Sequence, residues 1–63
     1  MPNLNQSELN SIREMVDGHQ TVACKLEDYA NMCTDPNIKQ MFSQGSKDAK
    51  KNAQDLINMI SSN

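Results

Sequence analysis

Apolar and weakly polar residues recur every three or four positions between residues 9 and 33, which is the spacing of one face of an α-helix. This series comprises Leu9, Ile12, Val16, His19, Ala23, Leu26, Ala30 and Cys33. A flank of further apolar positions, Met15, Val22 and Tyr29, lies beside it. The pattern predicts a helix of about residues 7–33 that packs against other helices.

The start of this helix has two candidate N-caps. Asn5 is followed three residues later by Glu8, which is the arrangement of a capping box, and Ser7 is the alternative. We expect Asn5 to be the cap, and residues 1–6 to form a flexible lead. Gly18 lies mid-helix, where glycine either allows a close helix approach or is simply tolerated.

The chain breaks at Thr34-Asp35-Pro36-Asn37. Asp35 is a favoured N-cap and Pro36 suits the first position of a helix, so a second helix of about residues 36–61 is predicted. Its stripe comprises Ile38, Phe42, Gly45, Ala49, Asn52, Leu56 and Met59, widened by Met41, Ala53, Ile57 and Ile60. A connection of two or three residues requires an antiparallel helical hairpin, so the expected fold is all-α with a single domain over residues 7–61.

A chain of 63 residues is short for a stable single core. Both helices are apolar over more than a narrow line, and one neighbouring helix would leave a flank of each uncovered. We therefore predict a homodimer in which two hairpins form a four-helix bundle. The predicted dimer core consists of Leu9, Ile12, Val16, Leu26, Phe42, Leu56 and Ile60.

His19 and Asn52 are the strongly polar members of their stripes. Folding about position 34 or 35 places His19 level with residues 49–52. A buried polar pair needs mutual hydrogen bonds and can fix helix register, so a His19–Asn52 layer inside the bundle is predicted.

Charge and composition argue against several functions. The net charge is −2, and the basic cluster of Lys47, Lys50 and Lys51 is interrupted by Asp48 and followed by Asp55. A regulatory RNA binder, in which paired helical hairpins grip RNA loops, is a further possible function, but this acidic balance disfavours nucleic-acid binding. Apolar runs are too short for a membrane span, and no signal-peptide pattern is present, so we expect an intracellular protein made in the cytoplasm.

No catalytic motif or cofactor signature is evident, and we expect a protein that is not an enzyme. Cys24 and Cys33 lie nine positions apart on one helix, about 13.5 Å along its axis, so they cannot form a disulfide within the chain. Small apolar filler is the simpler role for both. A metal- or redox-active bundle using His19 with Cys24 or Cys33 is the alternative function, although the Glu-x-x-His pair of di-iron bundles is missing.

Two segments, Asp35-Pro36-Asn37-Ile38-Lys39-Gln40-Met41-Phe42 and Lys50-Lys51-Asn52-Ala53-Gln54-Asp55-Leu56, resemble the spore coat protein F family. The resemblance covers about residues 9–60. It implies half of a ferritin-like bundle and a structural or assembly role in the coat of bacterial endospores, with other coat proteins as further candidate partners. Relatives in the wider ferritin-like group carry a histidine near the position of Asn52 and a glutamate on the first helix. We therefore carry over no metal or catalytic residues.

Overall fold

The computed structural model describes residues 4–61, which form two helices, α1 (Gln6–Met32) and α2 (Pro36–Ser61). The described part of the chain contains no strand. The helices pack side by side as a hairpin with a long dimension of 47 Å. The predicted all-α helical hairpin is confirmed.

The capping chemistry places the start of α1. The Asn5 side chain accepts a hydrogen bond from the Glu8 backbone N–H at 2.7 Å, and the Glu8 carboxylate accepts one from the Asn5 N–H at 3.1 Å. Asn5, not Ser7, is thus the N-cap. Gln6 is the first helical residue, so the predicted lead is too long by that residue; residues 1–3 of the lead lie outside the described residues.

The connection between the helices consists of residues 33–35. Cys33 has extended backbone and donates its N–H to the carbonyls of Tyr29 and Ala30, which ends α1 at Met32. Asp35 Oδ1 accepts the N–H groups of Asn37 at 2.8 Å and Ile38 at 3.2 Å. These bonds satisfy two of the donors that a helix start leaves unpaired, as the Asp-Pro signal predicts.

The line of contact between the helices is built from small side chains. The residues buried there are Val16, Ala23 and Ala30 from α1 and Ser46, Ala49 and Ala53 from α2. We call this set the seam. Ser46 Oγ reaches across it to donate to the backbone carbonyl of Ala23 at 2.9 Å. A side chain of one helix bonding the backbone of the other means that the helices approach closely.

Register follows from the same contacts. Ser46 lies opposite Ala23, and a methyl group at Gly45 would lie 3.2 Å from Leu26 Cδ1. Four residues towards the open end, His19 therefore comes level with residues 49–52, which is the predicted register. Gly18 does not serve close packing within the hairpin, because a Cβ added there would meet nothing within 4 Å.

Candidate functional site

The two long sides of the hairpin differ in chemistry. On α1, positions 13, 20 and 27 lie on one side of the seam, and they carry Arg13, Gln20 and Glu27. Lys50 of α2 donates to Glu27 at 3.3 Å on this side, with both side chains more than half exposed. Lys51 pairs with Asp55 at 2.9 Å. Two lysines of the basic cluster thus face carboxylates, and exposed pairs of this kind add little stability.

The other side of the hairpin is apolar. We call it the apolar face, and it comprises Ile12, Met15, His19, Val22, Leu26 and Tyr29 from α1 with Ile38, Phe42, Gly45, Asn52 and Leu56 from α2. The Tyr29 and Phe42 rings meet on it with centroids 5.6 Å apart and planes tilted by 57°. None of these positions is Asp, Glu, Lys or Arg, and His19 and Asn52 are the polar members of an otherwise apolar surface.

Large apolar side chains on this face remain accessible to solvent. Those left 45–48 % exposed are Met15, Val22, Tyr29 and Ile38. Within the described residues no large side chain is fully buried, and the buried apolar residues are valine and alanine alone. The hairpin therefore keeps its small residues inside and much of its large apolar surface outside.

The surface area of the chain leads to the same conclusion. Its accessible surface is 4695 Å². A compact monomer of its mass, 7.1 kDa, would expose about 4,100 Å² by the usual scaling. The excess of roughly 600 Å² is that of an elongated hairpin, 47 × 16 × 10 Å in extent, which buries little large apolar surface.

The residues predicted to form the dimer core divide between two locations. Val16 is buried in the seam, and Leu9 and Ile60 continue the seven-residue repeats of the seam towards the open end of the hairpin. Ile12, Leu26, Phe42 and Leu56 are half-buried at the border between the seam and the apolar face. These four therefore lie between the buried seam and the solvent-accessible part of the apolar face.

His19 and Asn52 do not form a buried layer within one hairpin. His19 is half-buried and Asn52 is exposed, because α2 turns the neighbouring Ala53 into the seam and successive helix residues point about 100° apart. The buried polar residue of the hairpin is Ser46, which the sequence analysis missed. Ser46 lies seven residues before Ala53, and this spacing could have indicated that both residues face α1. Burial of His19 and Asn52 in a dimer stays a prediction.

The side chains of the metal- or redox-active alternative are dispersed. Cys24 is exposed on the outer surface of α1, in an open groove that Asp17, Lys25 and Asp28 also line, and His19 lies on the apolar face. Cys33 is half-buried at the loop end, about 21 Å from His19 along the helix. Among residues 4–61 no three His, Cys, Asp or Glu side chains are grouped to hold a metal ion.

Neither helix, over the residues that the structure describes, has an apolar stretch long enough to cross a bilayer. A comparison with protein-family models, with curated proteins and with solved structures finds no match to this chain.

Proposed function

We propose that this chain is a structural protein without enzymatic activity that acts by self-association, two hairpins forming a four-helix bundle through their apolar faces. The observation that carries the proposal is the distribution of side-chain size: small residues fill the seam, and a group of exposed large apolar residues, Met15, Val22, Tyr29 and Ile38, shares one uncharged side. A second copy covering that side would remove them from water, at about 25 cal/mol per Å² of apolar surface.

The setting that we propose for this activity is the bacterial spore coat. The support is the sequence resemblance of residues 35–42 and 50–56 to the coat F family, together with the hairpin that the resemblance leads one to expect. Proteomic analysis of coat extracts from spores of the source organism should detect the chain. Its presence in vegetative cells and its absence from purified coats would contradict this assignment.

Self-association is tested directly by native mass spectrometry and sedimentation of untagged protein prepared without chelator. We expect a metal-free dimer of about twice the chain mass. A monomer at all accessible concentrations would refute the proposal, and a dimer with stoichiometric metal would favour the metal-dependent alternative.

A charge on the apolar face should disrupt the dimer. Val22 is 48 % exposed, so Val22→Asp leaves the seam untouched and is expected to abolish association. Leu26→Asp and Phe42→Asp affect the border of the seam as well and should lose the dimer and the fold together. A stable folded monomer from either of these two would show that the hairpin does not need its partner.

The matched control adds the same charge on the other side. Gln20 is exposed on the same side of the seam as Glu27, outside the apolar face. Gln20→Asp should therefore dimerise as the unmodified chain does. Equal loss of dimer in Val22→Asp and Gln20→Asp would indicate a general effect of net charge and contradict the assignment of the face.

A further inference from the structure

One nitrogen of His19 has a fixed role in the hairpin. Nδ1 lies 2.7 Å from the Met15 carbonyl oxygen. A carbonyl oxygen can only accept, so Nδ1 carries the proton of this bond, and Nε2 of the neutral ring is then an acceptor. Within residues 4–61 Nε2 has no hydrogen-bond partner. The apolar face thus presents one directed acceptor near the middle of α1.

A complementary group lies at the same level on α2. Asn52 is exposed on the apolar face, and its side-chain amide makes no hydrogen bond within the described part of the chain. An amide NH₂ is a donor suited to an imidazole acceptor. His19 and Asn52 are level with each other in one hairpin but do not bond there. His19 lies in line with Ile12 and Leu26 beside the seam, whereas Asn52 lies in line with Ile38 on the outer part of α2.

If a second copy buries this face, His19 Nε2 and the Asn52 amide both need hydrogen-bond partners. A buried polar group without a hydrogen bond is costly, so a second copy must supply partners for Nε2 and for the amide. Contact between the two His19 side chains would set acceptor against acceptor. Contact between His19 of one copy and Asn52 of the other sets acceptor against donor, twice.

We propose that two copies pair face to face with α1 over α2 of the other copy, and that His19 Nε2 of each accepts a hydrogen bond from the Asn52 amide of the other. This inference rests on the proposed self-association and adds its register and orientation. The two-fold axis then runs parallel to the helices of the bundle. Each residue of one copy lies at the same height along the bundle as the same residue of the other copy, and the loops of both copies lie at the same end.

Apolar layers on both sides of the His19–Asn52 level supply the area of contact. The polar layer selects one arrangement, since sliding or reversing one hairpin would bury Nε2 or the Asn52 amide unpaired. A single polar layer that specifies register in this way is a known property of helical seams.

Mixing two single variants tests the proposal. His19→Ala and Asn52→Ala each remove both inter-chain bonds from their homodimers. A heterodimer of the two keeps one bond, between His19 of one chain and Asn52 of the other. Bonds within a chain would give the heterodimer no such advantage. Alanine favours helix at both positions, so the hairpins should fold, which circular dichroism verifies.

Native mass spectrometry separates the three dimers by mass. One net hydrogen bond strengthens association by about fivefold, so the heterodimer should form about four fifths of all dimers. Random pairing would give about one half. Each homodimer should dissociate about 25-fold more readily than the unmodified dimer, and mixtures of Gln20→Ala with Asn31→Ala, both exposed off the face, should pair at random.

The outcomes are distinct. Random pairing of His19→Ala with Asn52→Ala, in a protein whose unmodified chain is dimeric, would overturn the reciprocal bonds and leave self-association standing. A monomeric unmodified chain would overturn the proposed function itself. If the alanine homodimers are too weak to detect, a heterodimer that appears only on mixing supports the bond, and no dimer on mixing refutes it. His19→Leu with Asn52→Leu repeats the test with side-chain bulk retained.

Discussion

The two glycines of the chain provide a matched test of how tightly the hairpin is packed. Each lies inside a helix, where replacing glycine by alanine stabilises by about 1 kcal/mol in the absence of other effects. At Gly18 the new methyl group would meet nothing within 4 Å. Gly18→Ala should therefore stabilise the folded chain by the full amount of about 1 kcal/mol.

At Gly45 the same methyl group would lie 3.2 Å from Leu26 Cδ1. Leu26 must move by a few tenths of an ångström. Its Cδ1 is the far end of a flexible side chain and the residue is half-buried, so it can adjust at a cost of about 0.5–1.5 kcal/mol for an off-rotamer position. This cost offsets most or all of the helix gain, and Gly45→Ala should be close to neutral.

Thermal unfolding followed by circular dichroism, with all chains at one concentration, measures the difference. In a domain of this size 1 kcal/mol corresponds to about 4–8 °C in Tm. We expect Gly18→Ala to raise Tm by that amount and Gly45→Ala to change it little. In a Leu26→Ala background the obstacle is gone, and Gly45→Ala should then gain as much as Gly18→Ala.

The contact with Leu26 is refuted by a specific result. If Gly45→Ala raises Tm as much as Gly18→Ala while Leu26 is present, the methyl group meets no resistance there. The close approach of Leu26 to α2 would then not be a feature of the folded chain.

Three further predictions concern the seam, the connection and the orientation of the dimer. Ala23 is 1 % exposed, so Ala23→Leu should force the helices apart and destabilise by about 1–3 kcal/mol in denaturant titrations; an unchanged midpoint would contradict the tight seam. Asp35→Ala removes the acceptor of two backbone N–H groups and should cost about 1 kcal/mol, whereas Asp35→Asn should recover most of it. Spin labels at Thr34, in a chain whose Cys24 and Cys33 are replaced by serine, should lie within roughly 30 Å of each other, given axes about 10 Å apart in a bundle. Labels at opposite ends of a hairpin 47 Å long would exceed this distance and exclude the proposed two-fold axis.

Local signals in the sequence were sufficient for the elements and their connection. The Asn5–Glu8 box and the Asp35-Pro36 pair work through hydrogen bonds between residues two or three apart, so the sequence contains all of the relevant chemistry. The short connection then leaves an antiparallel hairpin as the fold, and the register follows from where the chain turns.

Local signals did not show which residues form the seam between the two helices. Hydrophobic periodicity led us to place Asn52 in the stripe of α2 and to omit Ser46. In the structure Ser46 and Ala53 face α1, and Met41, expected to widen the stripe, is 73 % exposed. Periodicity ranks residues by apolar character, but close helix contact selects for small size, and Ser46 meets that requirement because its hydroxyl bonds the Ala23 carbonyl.

Small residues therefore pack the two helices of this hairpin together, whereas many of the large apolar residues lie on its surface. Because the seam is small enough for Ser46 to reach the backbone of α1, the helices lie too close at this level for leucine or phenylalanine to fit between them, and Leu26 and Phe42 lie to one side. Displacement to one side, with the ion pair of Glu27 and Lys50 on the other, gives each hairpin a single face to cover. A hairpin with one such face can close as a dimer, since an isologous contact uses the same surface on both copies and leaves none for a third. Folding of the hairpin and its association should accordingly respond to different substitutions: those at Ala23 affect the first, and those at Val22 the second.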